Sequence, residues 1–316
     1  MGSQYSVNGF LNAALRRTGK TLLVEGPTDK QLIHRIIIEA NSDKASSSSV
    51  DHAGIFNDQS LQGMGNKHKV CRIKSEAILL ASHFPRILEV LATLTDREWD
   101  EISLSQRITQ IAWSPPLQND REFTTFGHSI ENYSFHHEYV TEFIKYYWPE
   151  LVSPALISEI EDCFYSMLIF AATLSLEISH LSCIGKFGGA MRPGYIDILN
   201  NRFYLAPSFV SRCSERQIPF PAPRVPEFNA SLDTEYNSIE RLEFIKWLPH
   251  GHIGDEILWS AVARICLNSG FPEDKVQEVA FGNKKEKMLF SANWLSKQNP
   301  QFRPPLDEIV TWLESD

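Results

Sequence analysis

The stretch that most constrains the fold is TLLVEGPTDKQLIHRIIIEA, residues 21–40, in which a short apolar segment turns directly into a helix. Residues 21–24 predict a buried strand, because a Gly-Pro pair follows Glu25 and ends it. Apolar residues within 32–37 repeat at helical spacing, with a T-x-x-Q capping box at residues 28–31. In open α/β sheets ligands bind beyond the carboxyl ends of the strands, and Glu25 occupies such an end. A carboxylate at the rim of an apolar strand is costly unless it is solvated, paired or bound to a cation.

Length and composition predict a folded protein with room for two domains. The chain has 316 residues, 43% of them hydrophobic, and a net charge of -9. This charge excludes a protein that coats nucleic acid through a general basic surface, although a local basic patch remains compatible with it. The five scattered cysteines form no C-x-x-C pair, so we predict reduced thiols. With neither a long apolar segment nor a secretory leader pattern, the predicted location is the cytoplasm, without membrane contact.

Strand and helix signals alternate through about residue 140 and then give way to helical periodicity. This alternation is typical of a parallel α/β sheet flanked by helices. Strands are predicted at residues 50–55, 107–114 and 121–127, and a helix at residues 67–82. We therefore predict an α/β domain over residues 1–145 and a mostly α-helical domain over residues 146–316. The proline-rich stretch RQIPFPAPRVPEF, residues 216–228, predicts an extended surface connection inside the second domain.

The stretch ALRRTGKT, residues 14–21, matches a loose form of the phosphate-binding loop. Such a loop needs a strand before it and a helix after it, so that backbone N–H groups face the phosphates. Here a helical pattern comes first and the strand follows. We therefore predict no nucleotide site at this stretch.

Acidic residues occur at three predicted strand ends in the first half of the chain: Glu25 with Asp29, Asp96 with Glu98, and Glu131. If these strands are neighbours in one sheet, the carboxylates converge and repel one another unless a cation is bound. Mg²⁺ or Mn²⁺ suits such oxygen ligands and supports phosphodiester chemistry. The alternative for residues 96–101 is the solvated first turn of a helix, where acids interact favourably with the helix dipole.

Four motifs resemble those of TOPRIM domains, the catalytic module shared by topoisomerases, bacterial primases and OLD-type nucleases. LLVEGPTDKQLI resembles the first TOPRIM motif, and TLTDREWD resembles the second, with Glu98 in place of the usual aspartate. Asp100 is an alternative source of that carboxylate. GMGNKHKV and FGHSIENY are similar to stretches of a TOPRIM-bearing family of long-unassigned function. Ser129 stands where that family usually has aspartate.

The resemblance implies a TOPRIM-like parallel sheet and a Mg²⁺-dependent toxic endonuclease of a bacterial anti-phage defence system. It also implies an ABC-type ATPase partner that holds the nuclease inactive, a homodimer as the active form, and transfer RNA as the substrate. The residues themselves do not distinguish RNA from DNA.

The sequence therefore predicts three sets of site residues. The catalytic set is Glu25, Lys67 and Glu131; the metal ligands are Glu25, Asp29, Asp96 and Glu98; and the nucleic-acid contacts are Lys67, Lys69, Arg72 and Lys74. For Asp29 the alternative is a helix N-terminal acid, and for the basic residues it is a solvated helix face. His128 has two alternatives: it completes the site together with Glu131, or it is an exposed histidine in a loop.

Two motifs in the second half carry weaker hypotheses. NKKEKM, residues 283–288, could contact a polynucleotide backbone, although a charge run is usually a solvated surface. HGHIGDE contains an H-x-H pair, but zinc sites need further ligands that the neighbouring sequence lacks.

Three other functions compete with a defence nuclease that cuts RNA. One is a DNA nuclease of the OLD type. A non-catalytic subunit that docks on an ATPase is favoured by the Glu98 and Ser129 departures and disfavoured by Glu25. A primase or topoisomerase fragment is disfavoured, because zinc-binding cysteines and a clear tyrosine nucleophile are missing.

Overall fold

The computed structural model describes residues 4–39, 47–100, 102, 107–238, 242–299 and 302–315. These residues form two compact units that are interleaved along the chain. Unit 1 comprises Met1–Arg97, Pro115–Phe126 and Met288–Asp316, and unit 2 comprises Glu98–Ser114 and Gly127–Lys287. The sequence predicted a single boundary at residue 145, and the assignment of a catalytic and a helical domain on either side of it stays a prediction.

The helices and strands of unit 1 come from its three segments. They are α1 (Val7–Arg16), β1 (Thr21–Val24), α2 (Pro27–Glu39), β2 (Ser49–His52), α3 (Asn66–Ala81), α4 (Ile87–Val90), β3 (Leu91–Thr95) and β4 (Glu122–Thr124). Unit 2 contributes α5 (His137–Tyr147), α6 (Pro154–His180), α7 (Ile184–Phe187), β5 (Ile196–Leu199), β6 (Arg202–Leu205), α8 (Phe209–Glu215), α9 (Arg224–Ser238), α10 (Gly251–Asn268) and α11 (Glu273–Phe281). The chain then continues through α12 (Lys284–Ser296) and returns to unit 1 with α13 (Leu306–Glu314).

Unit 1 is built on a four-stranded, entirely parallel sheet with the strand order β2-β1-β3-β4. The central strand β1 is buried along its whole length, as its uninterrupted apolar sequence predicts for a strand covered on both faces. Leu23 packs in one core cluster with the apolar faces of α1, α3 and α4. Helix α2 contacts β1 and β2. The predicted α/β class with a parallel sheet flanked by helices is confirmed.

The edge of the sheet at which the strands begin is closed by the last helix of unit 1. The ammonium group of Lys20 donates to the backbone carbonyls of Trp312 and Ser315, both at 2.8 Å. A cation near the last carbonyls of a helix interacts favourably with its dipole. Lys20 belongs to the rejected ALRRTGKT match, where α1 precedes and β1 follows. The predicted order of elements is confirmed, and this lysine caps a helix.

Unit 2 is mostly helical and is organised around α6, which packs against α10. It also contains the antiparallel hairpin β5-β6, which the sequence prediction missed. The turn residues Asn200 and Asn201 have φ values of 52° and 61°, and paired left-handed residues of this kind make the tight turns that suit hairpins. None of the helices that the structure describes combines the length and the apolar character needed to cross a membrane.

One predicted element is wrong, and two others have wrong bounds. Residues 107–114 contain a short 3-10 helix, Ile108–Gln110, in place of a strand. The supposed extended connection becomes helical at Arg224, because proline is tolerated in the first turn of a helix. Strand β2 ends at His52, where the chain enters a 3-10 turn, Ala53–Ile55. Glu101 and residues 239–241, which belonged to predicted segments, lie outside the described residues.

Candidate functional site

All four strands of the unit 1 sheet end at one edge, called here the carboxyl edge. Glu25 follows β1 and Asp96 follows β3, and these two strands are adjacent and parallel. Thr125 follows β4, the next strand along. On the other side, His52 is the last residue of β2. The edge therefore presents side chains from four consecutive positions of the sheet.

Glu25 and Asp96 meet at this edge. The Glu25 Oε1 atom accepts a hydrogen bond from the backbone N–H of Asp96 at 2.8 Å. Covalent geometry keeps the carboxylate oxygens of Asp96 within about 5 Å of its own nitrogen, so the two carboxylates lie within about 8 Å of each other. Both side chains are half-buried. The structure thus brings these two predicted ligands together, and their role toward a metal stays a prediction.

The turn after β3 is held by β4. The backbone N–H of Arg97 donates to Thr125 Oγ1 at 2.9 Å, and the N–H of Thr125 donates to the carbonyl of Thr95 at 3.0 Å. Arg97 itself is only 3% exposed, which puts a buried guanidinium directly beside Asp96 in the chain. These bonds fix the position of Asp96, and sequence reasoning had assigned no role to Arg97 or Thr125.

Lys67 reaches the same turn from α3. It lies in the first turn of that helix, after the glycine-containing segment in which Gly63 has a φ of 77°. Its Nζ atom donates to the carbonyl of Arg97 at 3.4 Å. The structure therefore gathers Glu25, Asp96 and Lys67 at one turn, and the contact of Lys67 with a phosphate stays a prediction.

Asp29 takes part in capping α2. Its Oδ2 atom accepts a hydrogen bond from the N–H of Gly26 at 2.8 Å. The helix begins at Pro27, which suits proline because the first helical N–H has no partner inside the helix. The predicted capping box of Thr28 and Gln31 is therefore wrong, and Asp29 caps the helix two residues earlier, through the N–H of Gly26. This contact supports the helix-terminal interpretation of Asp29 and leaves its predicted metal role untested.

Two of the other three predicted nucleic-acid contacts of α3 have acidic partners. Arg72 forms an ion pair with Glu76 at 2.6 Å, and Lys74 forms one with Glu122. Burial lowers the pKa of Lys74 to about 8. Lys69 is half-buried on the same helix. Lys67 is thus the lysine of this group that reaches the carboxyl edge, and a role of the other three in nucleic-acid binding stays a prediction.

The residues at the edge fit a particular kind of metal binding. Among the residues that the structure describes, no group of three or more His, Cys, Asp or Glu side chains is arranged to hold a metal ion. Mg²⁺ in phosphate-processing sites is commonly bound by one or two carboxylates, several waters and the phosphates of the substrate. The pair Glu25 and Asp96 fits that arrangement. The described residues do not fit a site in which protein side chains alone supply the complete set of metal ligands.

The remaining predicted acids belong to unit 2. Glu98 is exposed, has a φ of 56°, and donates its backbone N–H to the carbonyl of His128 at 2.7 Å. Asp100 is exposed as well. Glu98 and Asp100 both stay predicted sources of the second-motif carboxylate.

Glu131 is enclosed by polar partners at the start of α10. It accepts a hydrogen bond from Ser129 Oγ at 2.5 Å and forms an ion pair with His252 Nδ1 at 2.8 Å. Burial alone would raise the pKa of Glu131, but its contacts with His252 and Ser129 together lower it. A side chain at Gly251 would overlap the Ser129 hydroxyl. This close approach explains the glycine of the HGH motif.

The histidines of unit 2 lie apart from any metal-like arrangement. The rings of His128 and His250 pack at 4.1 Å between centroids, and Trp99 contacts both rings edge-on. Burial lowers the pKa of His250 to about 4, so this imidazole is neutral at pH 7. His252 instead pairs with Glu131. The two histidines of the H-x-H motif therefore make separate contacts, and His128 is buried, which excludes the exposed-loop alternative.

Lys287 shows that the NKKEKM segment is only partly a solvated surface. Its side chain is 7% exposed, and its Nζ atom donates to the carbonyl of Val279 at 2.7 Å. The same atom lies 3.9 Å from the ring centroid of Trp259, a cation–π contact. Trp259 is itself a core residue, 1% exposed.

No protein-family model matches the chain, and the curated proteins give no significant match. The TOPRIM resemblance consequently depends on the short motifs quoted above. The carboxyl edge of unit 1 and its contacts provide the physical basis for a functional hypothesis.

Proposed function

We propose that this protein is a metal-dependent nuclease of the TOPRIM class that acts at the carboxyl edge of its parallel sheet. The observation that supports the proposal most is the hydrogen bond from the Asp96 amide to the Glu25 carboxylate. Lys67 contacts the carbonyl of the next residue. Two carboxylates and a lysine at one strand end suit a substrate that brings phosphate oxygens to a divalent cation.

Each residue has a defined role in this proposal. Bound Mg²⁺ or Mn²⁺ would polarise the phosphoryl oxygen and lower the pKa of a water molecule. Glu25 and Asp96 would hold the ion, and the Asp96 amide orients the Glu25 carboxylate in advance. Lys67 would place positive charge beside the phosphate, where negative charge develops during phosphodiester cleavage.

The biological setting of the proposal comes from the motif resemblance. The motifs resemble those of the nuclease subunit of the PARIS anti-phage defence system. We accordingly propose a toxic effector that cuts RNA, with transfer RNA as the expected target, once an ABC-type ATPase partner releases it. The expected active form is a homodimer.

The test uses Glu25→Gln, because glutamine removes the negative charge of the side chain but keeps its size and its hydrogen-bond acceptor. Its side-chain oxygen can still accept the Asp96 N–H, but it carries no negative charge for a cation. The purified wild type and variant are incubated with Mg²⁺ and either total RNA or plasmid DNA. We expect Mg²⁺-dependent RNA cleavage by the wild type and a rate lower by about 10³-fold in the variant.

Glu89→Gln is the matched control, since Glu89 is an exposed acid of α4, just before β3 begins. Equal cleavage by wild type and Glu25→Gln would contradict the proposal. Cleavage of plasmid DNA but not of RNA would indicate that the same site belongs to a DNA nuclease of the OLD type.

A non-catalytic interaction subunit is the second candidate. The observation that favours it is that Glu25 and Asp29 each accept a backbone N–H at a strand or helix end, which is a structural function. For such a subunit the chain should cut neither RNA nor DNA with Mg²⁺ or Mn²⁺. Glu25→Gln should then bind the ATPase partner as the wild type does.

A further inference from the structure

His52 closes the carboxyl edge on the side of β1 that is opposite to β3. It pairs with Val24, the residue before Glu25, in the parallel register of β1 and β2. Neighbouring strands lie about 4.8 Å apart and consecutive Cα atoms 3.8 Å apart, so the Cα atoms of His52 and Glu25 are separated by at most about 9 Å. The sequence prediction included His52 in a strand and gave it no function.

The orientation of the His52 ring is fixed by the turn that follows β2. Its Nδ1 atom accepts a hydrogen bond from the N–H of Gly54 at 3.2 Å. An accepting Nδ1 carries no proton, so the neutral ring has its proton on Nε2 and presents that N–H as a donor. Burial, followed by the positive charge of Lys30, lowers the pKa of His52 against a smaller opposite effect of Asp51.

Gly54 makes room for the ring. A Cβ atom at this position would lie 2.9 Å from both Nδ1 and Cε1 of His52. Distances below 3 Å between such atoms are not tolerated, so an alanine would displace the imidazole from the turn. The local sequence is therefore suited to hold this side chain in one position.

Lys30 places positive charge near Asp51, the residue that precedes His52 in β2. Its Nζ atom lies 3.8 Å from Asp51 Oδ1, whereas Arg17 pairs with the other oxygen of Asp51 at 2.6 Å. The closer Arg17 contact makes it the main partner of Asp51. The Lys30 side chain is 38% exposed. Glu25 thus has Asp96 and Lys67 on the β3 side and donor groups on the β2 side.

We propose that His52 and Lys30 form a phosphate-binding subsite on the β2 side of Glu25, for a phosphate of the polynucleotide next to the one that is cleaved. His52 donates its Nε2–H to a phosphate oxygen, and Lys30 supplies the positive charge. The subsite rests on the proposed function, because it positions a strand that crosses the edge over Glu25.

The experiment measures binding separately from cleavage. The probe is a fluorescently labelled, mixed-sequence single-stranded RNA, with DNA of the same sequence in parallel. Affinity is measured in the Glu25→Gln background, in which we expect binding without turnover. His52→Asn keeps a cap acceptor for the Gly54 N–H but lacks the ring donor. We expect His52→Asn and Lys30→Ala each to weaken RNA binding about tenfold.

Salt dependence separates the two contributions. Lys30→Ala removes a charge, so the slope of log Kd against log salt should become shallower by about one. His52→Asn removes a neutral donor, so the affinity should fall by the same factor at every salt concentration. His83→Asn and Lys297→Ala, both exposed residues of unit 1, are the matched controls and should bind as the parent does.

Gly54→Ala provides a second route to the same result if His52→Asn folds poorly. It displaces the ring without removing it, so its loss of affinity should match that of His52→Asn, and the double variant should lose no more. Unchanged affinity in His52→Asn and Lys30→Ala would overturn the subsite. If the wild type still cleaves in a way that depends on Glu25, the proposed nuclease function would stand without the subsite. A chain that binds neither RNA nor DNA would overturn the subsite as well. The expected losses of binding in a chain that never cuts would support the subsite and refute the nuclease.

Discussion

The carboxylates of Glu25 and Glu131 are both half-buried and both hydrogen-bonded, but one accepts a backbone amide and the other contacts two side chains. Glu25 accepts the neutral amide of Asp96 at the edge of a sheet. Glu131 pairs with His252 and accepts the Ser129 hydroxyl, at a position where only glycine fits beside it. A backbone amide orients one oxygen of Glu25, whereas the Ser129 hydroxyl and the His252 ring bind both oxygens of Glu131. We therefore propose a chemical role for Glu25 and a structural role for Glu131, in place of the catalytic role that the sequence predicted for Glu131.

The largest expected difference is in catalysis. Glu25→Gln should lower Mg²⁺-dependent cleavage by about 10³-fold and change the melting temperature little, because glutamine still accepts the Asp96 amide. Gel-resolved cleavage rates and thermal unfolding of the same preparations measure both quantities. If Glu25→Gln lowers the melting temperature but leaves the cleavage rate per folded molecule unchanged, the role of Glu25 is structural.

Gly251→Ala should have the largest effect on stability. The new Cβ would overlap the Ser129 hydroxyl and lie 2.8 Å from Glu131 Oε2, and overpacking of this kind costs about 3 kcal/mol. Urea unfolding measures the free energy of unfolding. Gly185→Ala is the control, since nothing lies within 4 Å of a side chain there. Ser129→Ala should recover part of the loss in the double variant, and its failure to do so would contradict the steric explanation.

Glu131→Gln should destabilise unit 2 by roughly 2 kcal/mol, because it leaves His252 and Ser129 without their anionic acceptor. The lowered pKa of Glu131 gives the pH dependence. Its stabilising contribution is present above the unfolded pKa, near 4.3, and is lost as the pH falls through the lower folded value. Urea unfolding between pH 7 and pH 3, with exposed Glu161→Gln as control, measures this. Full stability with abolished cleavage would instead support the catalytic role that the sequence predicted.

Lys67→Met should reduce cleavage about tenfold, since it retains the aliphatic stem but removes the charge beside the phosphate. The rate should fall more than the affinity, because the charge acts where negative charge develops in the transition state. Single-turnover rates and RNA binding, compared with exposed Lys297→Met, separate the two. An unchanged rate would place Lys67 outside the site.

Asp255→Asn should give the smallest effect, and one of opposite sign. Burial raises the pKa of Asp255 to about 6, so the folded state binds more protons than the unfolded state between about pH 4 and pH 6. Stability is therefore lost as the pH rises through that range, and the variant should be more stable by roughly 1 kcal/mol at pH 7. Exposed Asp162→Asn should show no such gain in urea unfolding, and a loss of stability in Asp255→Asn would contradict the burial effect.

Local sequence patterns predicted those residues of the candidate site whose position depends on a single strand or helix. The apolar run of β1 and the following glycine placed Glu25 at a strand end, and the helical pattern of α3 placed Lys67 in its first turn. The Asn200-Asn201 pair is also a hairpin signal that can be read from the sequence. Contacts between distant segments were not predictable in this way. Thr125 fixes the Arg97 turn, and His252 pairs with Glu131, only because the fold brings them together.

The bond between Lys20 and Trp312 joins residues 292 positions apart in the chain. At a synthesis rate of 5–20 residues per second, the ribosome needs roughly 15 to 60 s to add the partner of a lysine it has already made. During that interval β1 and Glu25 exist in a nascent chain whose unit 1 lacks its last helix. The order of synthesis thus delays completion of the unit that carries Glu25 until α13 has been synthesised.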